Sequence, residues 1–77
     1  MKYERLQVDF SGRIVDWNGP FVDVDEACEE AADLADDYRQ EFGFLAVASD
    51  YAPGQPLFTV FGPSPDNFRA IIVRPIA

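Results

Sequence analysis

The stretch that decides the fold is DVDEACEEAADLADDYRQEF, residues 23–42. At roughly 100° per residue, Val24, Ala27, Cys28, Ala31, Leu34, Ala35, Tyr38 and Phe42 share one face. Asp25, Glu26, Glu29, Glu30, Asp33, Asp36 and Asp37 fall on the opposite arc, roughly 140° wide by the same count. Asp23 stands where an N-cap belongs, with Glu26 three residues on and Val22 and Ala27 at the staple positions. Gly43 stands where a left-handed glycine closes a helix. The spacing predicts an amphipathic helix over 24–42, close to whatever it covers because alanines line its buried stripe.

Outward from the helix, the pattern changes to period two. In residues 3–10, Leu6, Val8 and Phe10 face one way and Arg5, Gln7 and Asp9 the other, which predicts a half-buried strand. Ser11-Gly12 supplies a tight turn, Arg13 to Trp17 reads as the hairpin partner, and Asn18-Gly19-Pro20 ends that second strand. Beyond the helix, residues 44–50 are apolar in both registers and read as a central strand. Residues 52–56 read as a loop, Leu57 to Phe61 as a further strand, and Phe68 to Arg74 as the last, stopped by Pro75. The order β-β-α-β-β-β with hairpin-sized connections predicts an α+β two-layer sandwich. One acidic amphipathic helix lies across an antiparallel sheet of four or five strands.

Seventy-seven residues make a single domain, 1–77, and hydrophobic residues at 48% exclude a disordered tail. The net charge of −8 is unevenly spread. Residues 23–41 hold nine acids and one base, and everything else holds five of each. The whole net charge therefore belongs to the helix. Such a balance argues against direct nucleic-acid binding, which draws on Lys and Arg at phosphates, and against anionic membranes. There is no apolar run long enough to span a bilayer and no secretory signal in the first residues. A single cysteine excludes an internal disulfide and fits a reducing, cytoplasmic setting. Nothing in the pattern sets an oligomeric state.

Catalytic chemistry finds little footing. The chain has no histidine, the commonest general base and metal ligand. Cys28 sits at the edge of the buried helical face beside Asp25 and Glu26, which suits a packed structural thiol better than a nucleophile. Asp23-Val24-Asp25 begins like a calcium loop, but the positions that need an oxygen ligand, glycine and glutamate hold Ala27, Cys28 and Leu34. No catalytic, cofactor or metal residues are assigned. Tyr3, Trp17, Tyr51, Phe58 and Phe61 read as core aromatics, since the basic groove of an RNA-binding sheet is absent.

The acidic face has two readings. A solvated, halophile-like surface would keep a small structural or interaction module soluble. Against it, Asp25/Glu29, Glu26/Glu30, Glu29/Asp33 and Asp33/Asp37 are like-charge i,i+4 pairs, each costing a few tenths of a kcal/mol. Asp36, Asp37 and Glu41 also oppose the helix dipole. From Asp25 to Asp37 is about 18 Å of axis, so seven carboxylates approach the phosphate density of one DNA strand, one per about 3.4 Å. A rigid helix of this kind fits a cleft built for a nucleic-acid backbone, and the partner it calls for is a basic nucleic-acid-binding protein. On this reading, reversing Glu30 and Asp33 to lysine leaves stability level or raises it.

A small acidic α+β domain with its carboxylates gathered on residues 23–42 resembles the phage-encoded DNA-mimic inhibitors, among them uracil-DNA glycosylase inhibitor and anti-CRISPR proteins. The resemblance implies a non-enzymatic inhibitor in the host-cell cytoplasm. It implies a partner such as a subunit of a Cascade-type CRISPR effector, met by Asp25, Glu26, Glu29, Glu30, Asp33, Asp36 and Asp37.

Overall fold

A computed structural model describes residues 1–76. The chain runs β1 (Lys2–Val8), β2 (Ile14–Phe21), α1 (Val24–Phe42), β3 (Leu45–Ala48), β4 (Pro56–Phe61), a 3-10 turn (Pro65–Asn67) and β5 (Arg69–Ile76). The strands form one antiparallel sheet in the order β2-β1-β5-β4-β3, with α1 across one face. This is the α+β two-layer arrangement that the sequence predicts.

Helix α1 begins and ends where its caps place it. The Asp23 side chain accepts from the Glu26 backbone N–H at 2.8 Å. Gly43, at φ 68°, turns the chain left-handed, so its N–H reaches the Arg39 carbonyl and that of Phe44 reaches Tyr38. Val22 is 71% exposed and forms no staple over the buried Ala27. Of the predicted stripe, Ala27, Ala31 and Ala35 are fully buried, while Val24, Cys28, Leu34 and Tyr38 pack partly buried around them. Phe42 departs from the stripe, standing largely in solvent at the last turn, where it stacks on Phe44.

Four further expectations need correction. Asn18-Gly19-Pro20 does not end β2, which runs on to Phe21. Tyr3 pairs with Phe21 and Arg5 with Asn18, so three steps of β2 oppose two of β1 in a bulge. Gly19, at φ 139°, lies against the Tyr3 carbonyl, where an added Cβ would come within 3.1 Å. An edge strand also tolerates Pro20, whose missing N–H costs no ladder bond on the open side. The strand from residue 44 on is not central: β3 is four residues long at the sheet edge, and its apolar Leu45 and Val47 are exposed. Pro75 does not stop β5 but pairs with Tyr3 within it. Its place is possible because β4 begins at Pro56, opposite Ile72, leaving β5 with one strand neighbour at Pro75. Finally, Trp17, Tyr51 and Phe61 are not core residues, at 48%, 38% and 44% exposed. Of the five aromatics, Tyr3 and Phe58 do pack on the core.

The register explains that last correction. Beneath the helix lie Ile71 and Val73 of β5, Leu57 and Val60 of β4 and Ala46 of β3, against the three helix alanines. Pairing Gln7 with Ile71 and Arg5 with Val73 puts the polar residues of β1 on this same covered face. Leu6 and Val8 therefore point to the other side, where Leu6 lies between Trp17 and Ile72.

Candidate functional site

The seven acids of the helix arc do not share one environment. Asp25, Glu26, Glu29, Asp33, Asp36 and Asp37 are exposed, and Glu30 is half-buried. Glu30 lies at the margin of the arc that leans over β1, and there it meets Arg5. The Arg5 guanidinium is held under the helix, its side chain 5% exposed, with Nη2 3.0 Å from Glu30 Oε1 and Nη1 2.8 Å from Asp16 Oδ2. Gln7 Nε2 donates to the same Asp16 oxygen at 2.8 Å, and the Tyr38 hydroxyl donates to Gln7 Oε1 at 2.6 Å. Two side chains of β1, one of β2 and two of the helix thus form one polar network in a layer whose fully buried residues are otherwise apolar. Arg5 Nε, buried, has no partner in it.

That network has an electrostatic signature at Asp16. The hydrogen bond from Arg5 leads, with help from Gln7, and holds the Asp16 carboxyl below its usual value despite the opposing effect of burial. A buried guanidinium with two carboxylates is locally over-compensated, so its neighbourhood stays net negative. Sequence reasoning counted Arg5 as an outward partner of the alternation. No local pattern separates the two faces of a strand when one carries Tyr3, Arg5 and Gln7 and the other Leu6 and Val8. The long stems of Arg and Gln can line a core provided that their heads are paired.

The remaining arc is a row of carboxylates on a fixed backbone. Asp36 is paired at 2.8 Å with Arg39, an exposed i,i+3 contact, while the other arm of Arg39 donates to the Ala46 carbonyl. Among the described residues, Asp25, Glu26, Glu29, Asp33 and Asp37 form no ion pair. These five span about 18 Å of helix axis, about one charge per 4 Å. At its C-terminal end the row borders a hollow of about 210 Å³ lined by Leu34, Asp37, Tyr38, Glu41 and Phe42. The hollow has an apolar floor and two carboxylates at its rim.

Cys28 is half-buried at the flank of the helix. Burial first, and the charge of Asp25 second, push its thiol above the ordinary value, which keeps it protonated at neutral pH. Among the described residues no three acids or thiols converge as a metal site, and no helix is long and apolar enough to cross a membrane. Comparison of the chain with known protein families, with curated proteins and with solved structures finds no match.

Proposed function

We propose that this chain is a non-enzymatic inhibitor whose acidic helix face stands in for a nucleic-acid backbone and occupies the basic site of a partner protein. The observation that carries the proposal is the uncompensated row Asp25, Glu26, Glu29, Asp33 and Asp37, exposed on a helix capped at both ends and seated on a sheet. A row fixed in this way meets a cationic cleft without ordering loops first, so little conformational entropy is lost on binding. Glu30 acts in this reading as the anchor of the face to Arg5, and Asp36 as a charge shared with Arg39. The hollow beside Tyr38 suits the stem of a partner Lys or Arg, with its head at Asp37 and Glu41 and its chain on the two rings. A nucleic-acid-binding subunit, such as one of a Cascade-type effector, offers residues of that kind. The enzymatic reading draws less from the geometry, since among the described residues no pair of shifted acid and base faces a cleft.

A solubilising role without mimicry is the second reading. It draws on the exposed apolar residues of the opposite sheet face, which call for charge elsewhere to keep the chain dispersed.

The experiment is affinity capture from a host lysate with the parent chain and with Glu29→Lys/Asp33→Lys, followed by titration of the captured partner. Mimicry predicts a complex that weakens steeply with salt and excludes nucleic acid from the partner. The double variant should lose about 1–3 kcal/mol of binding, in the range for charged interface contacts. Its own stability should hold or rise, because it relieves the like-charge pairs of the helix. Glu30→Lys is unsuitable for this purpose: it would set an ammonium beside the buried Arg5 guanidinium. Equal binding by parent and variant, or a partner that holds nucleic acid and this chain together, refutes the proposal.

A further inference from the structure

We propose that the uncovered face of the sheet is a self-association surface, on which a second copy of this chain packs sheet to sheet with both acidic helices outermost. The inference is independent of what the helix binds.

The register defines the face. Ile14, Val8, Ala70, Thr59 and Val47 are paired in turn, one from each strand, so a row apolar but for one threonine crosses the whole sheet. Ile14, Trp17, Val47 and Phe61 are each between 44% and 51% exposed, while Leu45 reaches 63% and Phe10 71%. At one end Phe10 and Phe61 both set an edge against Phe68, with ring centroids 5.7 Å apart in each pair. The covered side is poorer by comparison. There the helix contributes only alanines as fully buried residues, and the largest fully buried side chains are Ile71, Val60 and Val73. The chain has placed its tryptophan and much of its aromatic bulk on the side with no second layer, an arrangement that marks an interaction surface.

Two arguments select a second copy as the occupant. The first is size. Five strands about 4.8 Å apart and averaging about 20 Å long give a flat footprint of roughly 500 Å². Two such faces together bury about 1,000 Å² before side-chain relief is counted, which meets the lower bound for a biological interface. The second is charge. The acids that make up the net charge of −8 lie on the helix, behind the other face of the sheet. On the uncovered face Glu4 pairs with Arg74 at 2.7 Å and also accepts from Trp17 Nε1, so the group is neutral and its polar atoms are satisfied. Among the described strand residues the register sets one further charge on this face, Lys2 at its margin beside Ile76, so the face offers no anionic patch to a cationic cleft and little to repel an identical face. With the sheets stacked about 10 Å apart, the two helices are separated by more than the Debye length at physiological salt, about 8 Å. Two twisted sheets meeting about a two-fold axis make an isologous sandwich of the aligned kind.

The test is sedimentation of the parent chain over a wide range of micromolar concentrations, with Trp17 fluorescence as a local probe, since it is the sole tryptophan. The expected result is a shift from monomer to twice that mass. A blue shift of Trp17 emission and a loss of acrylamide quenching should accompany it. High salt should leave the dimer intact or tighten it, the opposite of its effect on a complex made through the acidic helix. Val47→Asp and Ile14→Asp, at half-exposed positions that the monomer fold does not need, should each raise the dissociation constant by about tenfold or more while helix content stays unchanged. A monomer at every concentration, with Trp17 open to quencher, overturns the proposal. So does a dimer indifferent to both substitutions. If the chain is monomeric alone and Val47→Asp releases a captured partner, the face belongs to that partner and not to a second copy.

Discussion

Arg5 offers a test in which the order of two effects, more than their size, is diagnostic. Its side chain is 5% exposed, whereas those of its partners Asp16 and Glu30 are 49% and 30% exposed. Removing the cation in Arg5→Met keeps the apolar stem and strands two carboxylates that water can reach. The loss is then the charged hydrogen bonds alone, about 1–2 kcal/mol after discounting for solvent. Removing the charges in Asp16→Asn/Glu30→Gln keeps the shape and the acceptor oxygens but strands a cation that water cannot reach. Breaking a buried pair in that way costs about 3–5 kcal/mol, with the retained acceptors holding it near the lower figure. Urea or thermal unfolding followed by far-UV circular dichroism reads the difference. For a domain of this size each kcal/mol is about 4–8 °C, so the double variant should melt at least several degrees below Arg5→Met. All samples must be compared at one protein concentration, since self-association would itself raise the midpoint. A double variant as stable as Arg5→Met, or more so, would show that the guanidinium is not held against desolvation by these carboxylates, and the account of the network would fall.

Two further outcomes are expected. Because Arg5 lowers the Asp16 value in the folded state, the stability that Asp16 contributes is fully present above its unfolded value and fades as pH falls through the folded one. The gap between parent and Asp16→Asn should therefore be constant near neutrality and narrow once the pH falls below the ordinary aspartate value of about 3.9, in an acid titration of unfolding free energy; a gap that widens in acid contradicts the assignment. Cys28, half-buried with its thiol pushed up, should react with a thiol reagent at neutral pH well below the rate of the unfolded chain, and Cys28→Ala should cost some stability without changing partner capture. Labelling as fast as in the unfolded control would place the thiol in solvent.

How far the sequence carries depends on whether a feature is local. The helix was legible to the residue, because Asp23 and Gly43 satisfy backbone groups within the segment itself. Five strands were legible because Gly and Pro punctuate them. Strand position was not: residues 45–48 are apolar in both registers, which suits a central strand, yet β3 lies at the edge with Leu45 and Val47 exposed. Apolar alternation says that a strand has a greasy side, not that the helix lies on it. In β1 the helix lies on the other side, over Tyr3, Arg5 and Gln7, and that choice is made by pairing with β5, some 65 residues away along the chain. The acidic arc was legible as a set of positions, but the division of Glu30 from its neighbours depends on that same distant pairing.

The strand order β2-β1-β5-β4-β3 bears on how the molecule can be made. During synthesis the β1–β2 hairpin leaves the ribosome first and the β3–β4 hairpin later, yet neither neighbours the other in the finished sheet. The strand that joins them, β5, emerges after both. At about 5–20 residues per second, the interval between β1 and β5 is on the order of 3–14 s. Through that time the two hairpins share no ladder, and the alanine stripe of the helix has only part of its sheet to lie on. Closure of the sheet therefore waits on its last strand: the nascent chain holds two separate ribbons, and the arrival of residues 69–76 joins them into one body. Because Lys2 pairs with Ile76, the closing step also brings the two ends of the sheet segment side by side. A short linker could join them there, and new ends could be opened in the Ala52–Gln55 loop, giving a permuted chain in which β5 is made before β1.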